Sequence, residues 1–145
     1  MRLSKEHLIA EWPQIRSVAF SYGVDPYFMA AIRCAEAGGP GREFGVLSVD
    51  APDFKEQLVR AAKTVRNKLS LNAINPFMLT PTALGFRRLR YTPQFISFLA
   101  RFYCPIGAEN DPEGLNQNWP INVEKFYSRF VSEGLDGLGT WTASI

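Results

Sequence analysis

The stretch VDPYFMAAIRCAEAGG, Val24 to Gly39, decides the fold. Asp25 can cap a helix and Pro26 suits its first position, where a missing N–H costs nothing and φ is already helical. Phe28, Ile32 and Glu36 then follow at i, i+4 steps, so they share one column of one face. Gly38 and Gly39 end the helix. A helix whose column carries Phe and Ile belongs in a core, and it takes Glu36 with it at its last turn.

Outward from that helix the periodicity stays helical. Ser4 can cap a first helix with Leu8, Ile9, Trp12, Ile15, Val18 and Ala19 inward; Pro13 bends or divides it, and Gly23 stops it. PDFKEQLVRAAKTVRNKLSL, residues 52–71, keeps a 3.6-residue period through Phe54, Leu58, Ala61, Ala62, Val65 and Leu69, with Asp53 as its cap. NAINPFMLTPTALGFRRLR, residues 72–90, holds prolines at 76 and 81 and reads as short helices and loops. Thr92 and Pro93 open a helix that buries Phe95, Phe98, Leu99 and Phe102. WPINVEKFYSRFVSEGL, from Trp119, forms a last amphipathic helix with Val123, Phe126, Phe130 and Val131 inward. No pair of alternating runs joined by a hairpin turn stands out. The expectation is an all-α or mainly α fold: one domain over 1–145, about six helices, and an irregular tail from about residue 134.

Composition agrees with a folded core. Of 145 residues, 46% are hydrophobic and 21% charged, which excludes a disordered chain. The N-terminal residues carry Arg2, Lys5, Glu6, Glu11 and Arg16, so no signal peptide is visible and no stretch is apolar enough to span a bilayer. Cys34 and Cys104 are too few for a disulfide framework and lack zinc-ligand spacing; buried free thiols are expected. His7 lies on the polar side of the first helix, and no Ser/His/Asp set or His/Cys cluster accompanies it, so neither nucleophilic nor metal chemistry is expected.

Glu36 carries the chemistry. A carboxyl on an apolar helix end loses hydration in its charged form, so its pKa rises and it becomes a usable general acid near neutrality. Glycosidases need such an acid to protonate the glycosidic oxygen. The glycines that follow allow a polymeric substrate to approach closely. An i, i+3 ion pair with Arg33 explains the same residue without any function.

The segment YGVDPYFMAAIRCAEAGGPGREFGVLS, residues 22–48, resembles the surroundings of the catalytic glutamate in the lysozyme-like superfamily: soluble lytic transglycosylases, goose-type lysozymes and bacterial N-acetylglucosaminidases that cleave peptidoglycan. FLARFYCPIGAENDPEGLNQNWPINV, residues 98–123, is similar to the region where transglycosylases carry a cleft tyrosine, here matched by Tyr103, and to small phage and prophage cell-wall hydrolases. Two differences stand out. Ala37 replaces the serine of the Glu-Ser pair, and Cys104-Pro105 replaces Asn-Ala after the tyrosine. Transglycosylase and hydrolase chemistries both stay open.

The resemblance implies a lysozyme-like domain with a substrate cleft, cutting peptidoglycan between N-acetylated sugars without a cofactor. Glu36 would be the acid and Tyr103 its partner across the cleft. A hydrolase also needs a second carboxylate, for which Glu43, Asp50, Asp53 and Asp111 are available and Asp50, just after the FGVLS wall, comes first. Phe44, Gly45, Ser48, Gln57, Asn110, Asn116 and Trp119 would line the sugar site, although Trp119 read as a core residue and Asn110 and Asn116 as turn residues fit equally. The alternative is a lysozyme-like module that binds glycan, or builds a virion, without cutting. A nucleic-acid reading through Arg87, Arg88, Arg90 and Arg101 ranks third, because the aromatics sit at core spacing. The expected chain is a monomer with peptidoglycan as its partner, without nucleic acid or membrane insertion, made in the cytoplasm and acting in the periplasm or cell wall or on a virion.

Overall fold

The computed structural model describes residues 3–36, 44, 53–70, 75–103 and 115–134. Five α-helices are found among them: α1 (Lys5–Tyr22), α2 (Pro26–Glu36), α3 (Phe54–Leu69), α4 (Pro93–Tyr103) and α5 (Trp119–Glu133). A short 3-10 helix, Leu115–Asn118, leads into α5, and a two-stranded sheet, β1 (Phe77–Pro81) with β2 (Arg87–Tyr91), separates α3 from α4.

Helix α2 is the centre. Phe28, Met29, Ala30, Ala31 and Ile32 have no exposed surface, so five consecutive positions, covering more than one full turn, are buried. A helix apolar on every side must be surrounded, and α1, α3 and α5 pack around it. The expected caps are present. Ser4 accepts from the His7 N–H, Asp25 Oδ1 accepts from the Tyr27 N–H at 2.9 Å, and Asp53 accepts from the Glu56 N–H at 2.8 Å. Gly23 ends α1 at φ 69°, a left-handed conformation that favours glycine. Pro13 neither divides α1 nor lies in the core; the helix continues through it with the ring on the exposed side.

Two expectations need correction. Residues 77–91 form an antiparallel hairpin, with Phe77 opposite Tyr91, Leu79 opposite Leu89 and Thr80 opposite Arg88, where short helices and loops were expected. The alternation is present in the sequence but runs against the usual sense. Arg88 and Arg90 point towards the helices, while Leu79 and Leu89 point outward. The turn is also long: Thr82 closes it by donating its N–H to the Phe86 carbonyl at 2.8 Å, and Gly85 supplies φ 89°. In α4 the buried stripe is Phe95, Ile96, Leu99 and Ala100; Phe102 is half exposed, with the Lys68 ammonium 4.0 Å from its ring centre.

Arg33 ties α2 to α1. It is 3% exposed, and it donates to both carboxylate oxygens of Glu11, at 2.8 and 3.1 Å. His7 Nε2 reaches the same carboxylate at 2.9 Å. Glu11→Gln leaves a buried guanidinium facing a neutral amide and is expected to destabilise the fold by about 2 kcal/mol, read from the denaturant midpoint. An unchanged midpoint would place the stabilisation elsewhere.

Candidate functional site

At the C-terminal end of α2, Glu36 follows Phe28 and Ile32 at i, i+4 spacing and is half-buried. Loss of hydration raises its pKa above the usual 4.5, and a hydrogen bond from Trp119 opposes that rise in part. Trp119 opens α5, and its indole Nε1–H donates to Glu36 Oε2 at 2.8 Å. A donor on Oε2 leaves the acidic proton to Oε1. The chain thus holds one partly dry carboxyl, its pKa raised, against the indole N–H.

The indole stacks on Tyr103, the last residue of α4, with ring centres 5.2 Å apart and planes 26° apart. The Tyr103 hydroxyl donates to the Phe44 carbonyl. The Phe44 N–H in turn donates to Gln57 Oε1 at 3.2 Å, and the Phe44 ring packs 5.5 Å from Phe54. Five residues singled out in the sequence, Glu36, Phe44, Gln57, Tyr103 and Trp119, therefore meet in one connected chain of contacts drawn from α2, α3, α4, α5 and residue 44.

Their positions refine their roles. Phe44 and Gln57 have no exposed surface, so they shape the site from below. Trp119 is 5% exposed, and of its two readings the core-packed one describes it: its ring lies on Tyr103 and its N–H lies on Glu36. Arg33 turns to Glu11, and the Glu36 shift arises from burial. Asp53 is the cap of α3. Gly45, Ser48, Asp50, Asn110, the side chain of Asn116, and the further candidates Glu43 and Asp111 lie outside the described residues, as does Cys104. Cys34 is buried, which pushes its thiol up to about 12. Among the described residues no group of three or more His, Cys, Asp or Glu could hold a metal ion, and no helix is long and apolar enough to cross a membrane.

Sequence reading missed a second polar centre at the other end of α2. Asp25 accepts from the Tyr127 hydroxyl at 2.6 Å, its N–H donates to the Tyr91 hydroxyl at 2.9 Å, and Arg88 lies 3.4 Å away. The Tyr91 N–H donates to Tyr127 at 2.8 Å, and Arg90 pairs with Glu124 at 2.6 Å. Burial, first of all, raises the pKa of both tyrosines, so both hydroxyls stay neutral, Tyr127 donating to Asp25 and Tyr91 accepting from its N–H. The signal was available: Tyr127 falls between Val123 and Val131 at i+4 steps, and a buried tyrosine requires a partner. Arg88 and Arg90 are occupied in this centre and do not form a free basic patch.

Trp119→Phe removes the donor to Glu36 without emptying the space. Because that donor favours the charged form, its loss is expected to raise the Glu36 pKa further, seen as a higher midpoint in a carbon-13 carboxyl titration. A midpoint that stays or falls would count against the hydrogen bond. Compared with protein-family models, curated proteins and solved structures, the chain matches none.

Proposed function

We propose that the chain is a glycosidase of peptidoglycan, cutting the glycan strand between N-acetylated sugars with Glu36 as general acid. The observation that carries the reading is the Glu36 carboxyl: partly dry, its pKa raised, and held at Oε2 by the Trp119 N–H. Glu36 gives its Oε1 proton to the bridging oxygen as the bond from the anomeric carbon to that oxygen breaks, and positive charge develops on the sugar ring. The carboxylate left behind is then the base. It takes a proton from a hydroxyl of the same sugar, giving an anhydro end, or from water, giving a reducing end.

Asp53, the described candidate for a second carboxylate, is engaged as a helix cap, accepting from the Glu56 N–H. The same observation suits a second reading, a lysozyme-like module that binds glycan or builds a virion without cutting.

The test is turbidity clearing of purified peptidoglycan by the wild type and by Glu36→Gln, with mass analysis of the released fragments. Clearing that the variant loses while it still folds and binds supports the acid, and the fragment masses separate anhydro from hydrolysed ends. Binding by both without clearing by either overturns the enzyme reading in favour of the module.

A further inference from the structure

The hairpin leaves an apolar surface uncovered. Among the described residues nine large hydrophobic side chains are exposed, and six of them, Phe77, Met78, Leu79, Leu84, Phe86 and Leu89, lie in this one element. Leu84 and Phe86 flank Gly85 at the tip and are 78% and 56% exposed. The face bearing Arg88 and Arg90 is anchored to Asp25, Glu124 and Ser128, and the Ala83 N–H donates to the Ser132 carbonyl at 2.9 Å. The exposed face bears Leu79, Leu89 and Arg87. Exposed apolar surface concentrated in this way marks an interaction site.

Charge selects the partner. From Gln57 to Ala108 the sequence contains no Asp or Glu, and within the hairpin, where Arg88 pairs with Asp25 and Arg90 with Glu124, Arg87 is the exposed cation. The hairpin lies inside this acid-free stretch, with the exposed Arg87 directly behind the apolar tip. Size disfavours a pairing of copies through the ribbon alone: about 17 Å long and about 10 Å wide, it offers far less than the roughly 800 Å² per partner that a standard interface buries. A bilayer needs no complementary surface. Its interfacial zone accepts an apolar tip to a depth of about 5–10 Å while arginine stays at the level of the phosphates.

We infer that the 77–91 hairpin docks the protein on an anionic lipid bilayer, with Leu84 and Phe86 entering the acyl boundary and Arg87 meeting lipid phosphate. The sequence expectation of no membrane insertion rested on the lack of a long apolar stretch, which a hairpin tip does not require. Asp25 and Glu36 flank α2, about 16 Å in length, and the hairpin anchors at the Asp25 end, away from Glu36.

The test is co-sedimentation of the full chain with vesicles of equal parts phosphatidylglycerol and phosphatidylcholine, and with phosphatidylcholine alone. Binding to the anionic vesicles is expected to be at least about tenfold stronger and to weaken with salt. Leu84→Ser combined with Phe86→Ser, and Arg87→Glu separately, should each weaken it by about tenfold without altering the melting temperature, since all three side chains are exposed. No binding to anionic vesicles, or binding that the variants leave unchanged, overturns the inference. Concentration-dependent association in sedimentation velocity that the double variant abolishes also overturns it, and assigns the face to a second copy. None of these readouts depends on glycan cleavage.

Discussion

On the proposed glycosidase reading, Glu36→Gln is expected to slow release of glycan fragments by about a hundredfold to ten-thousandfold and to leave the chain folded. Gln has the shape of Glu and offers an oxygen to the Trp119 N–H, so the contact at 2.8 Å survives while the transferable proton does not. Stability separates a lost acid from a damaged fold. The pKa of Glu36 is raised in the folded chain. Between the unfolded value near 4.5 and the folded value, the native state therefore binds more protons, and stability falls as pH rises through that window. Glu36 thus lowers stability at neutral pH. The variant should be at least as stable as the wild type there and should lack this part of the pH dependence. A variant that melts earlier than the wild type at neutral pH would mean that the carboxylate stabilises the fold, contrary to this account.

Asp25→Ala is expected to cost about 3–5 kcal/mol of unfolding free energy. Four things are lost together. The cap on Tyr27 disappears, the Tyr127 hydroxyl loses its acceptor at 2.6 Å, Arg88 loses its counter-ion, and a gap opens beside buried rings. Tyr127→Phe removes only the hydroxyl and strands the Tyr91 N–H, for about 1–3 kcal/mol. Because the two share one hydrogen bond, the double variant should cost less than the sum. Denaturant midpoints of the three variants measure this; additive costs, or a cost below about 1 kcal/mol for Asp25→Ala, would show that the centre is incidental to stability.

What could be read in advance followed the physics of one-dimensional patterns. Helix α2, its Asp25 cap and its Phe28–Ile32–Glu36 spacing were legible because a cap, an N1 proline and an i, i+4 repeat are local signals. The hairpin was not, since the outward Leu79 and Leu89 and inward Arg88 and Arg90 invert the usual alternation, and only Asp25 and Glu124, distant in sequence, explain why arginine turns inward. At the site, Glu36, Tyr103 and Trp119 could be named singly. That the indole holds the acid could not be seen, because spacing within one helix says nothing about which ring of another helix arrives beside it.

The bond from Trp119 to Glu36 spans 83 positions of the chain. During synthesis Glu36 therefore emerges long before the group that orients it, and Tyr103 has no ring to stack on until α5 has left the ribosome. On the glycosidase reading, the carboxyl acquires its orientation only when α5 docks. A nascent or truncated chain that lacks α5 carries the carboxyl without the indole that orients it.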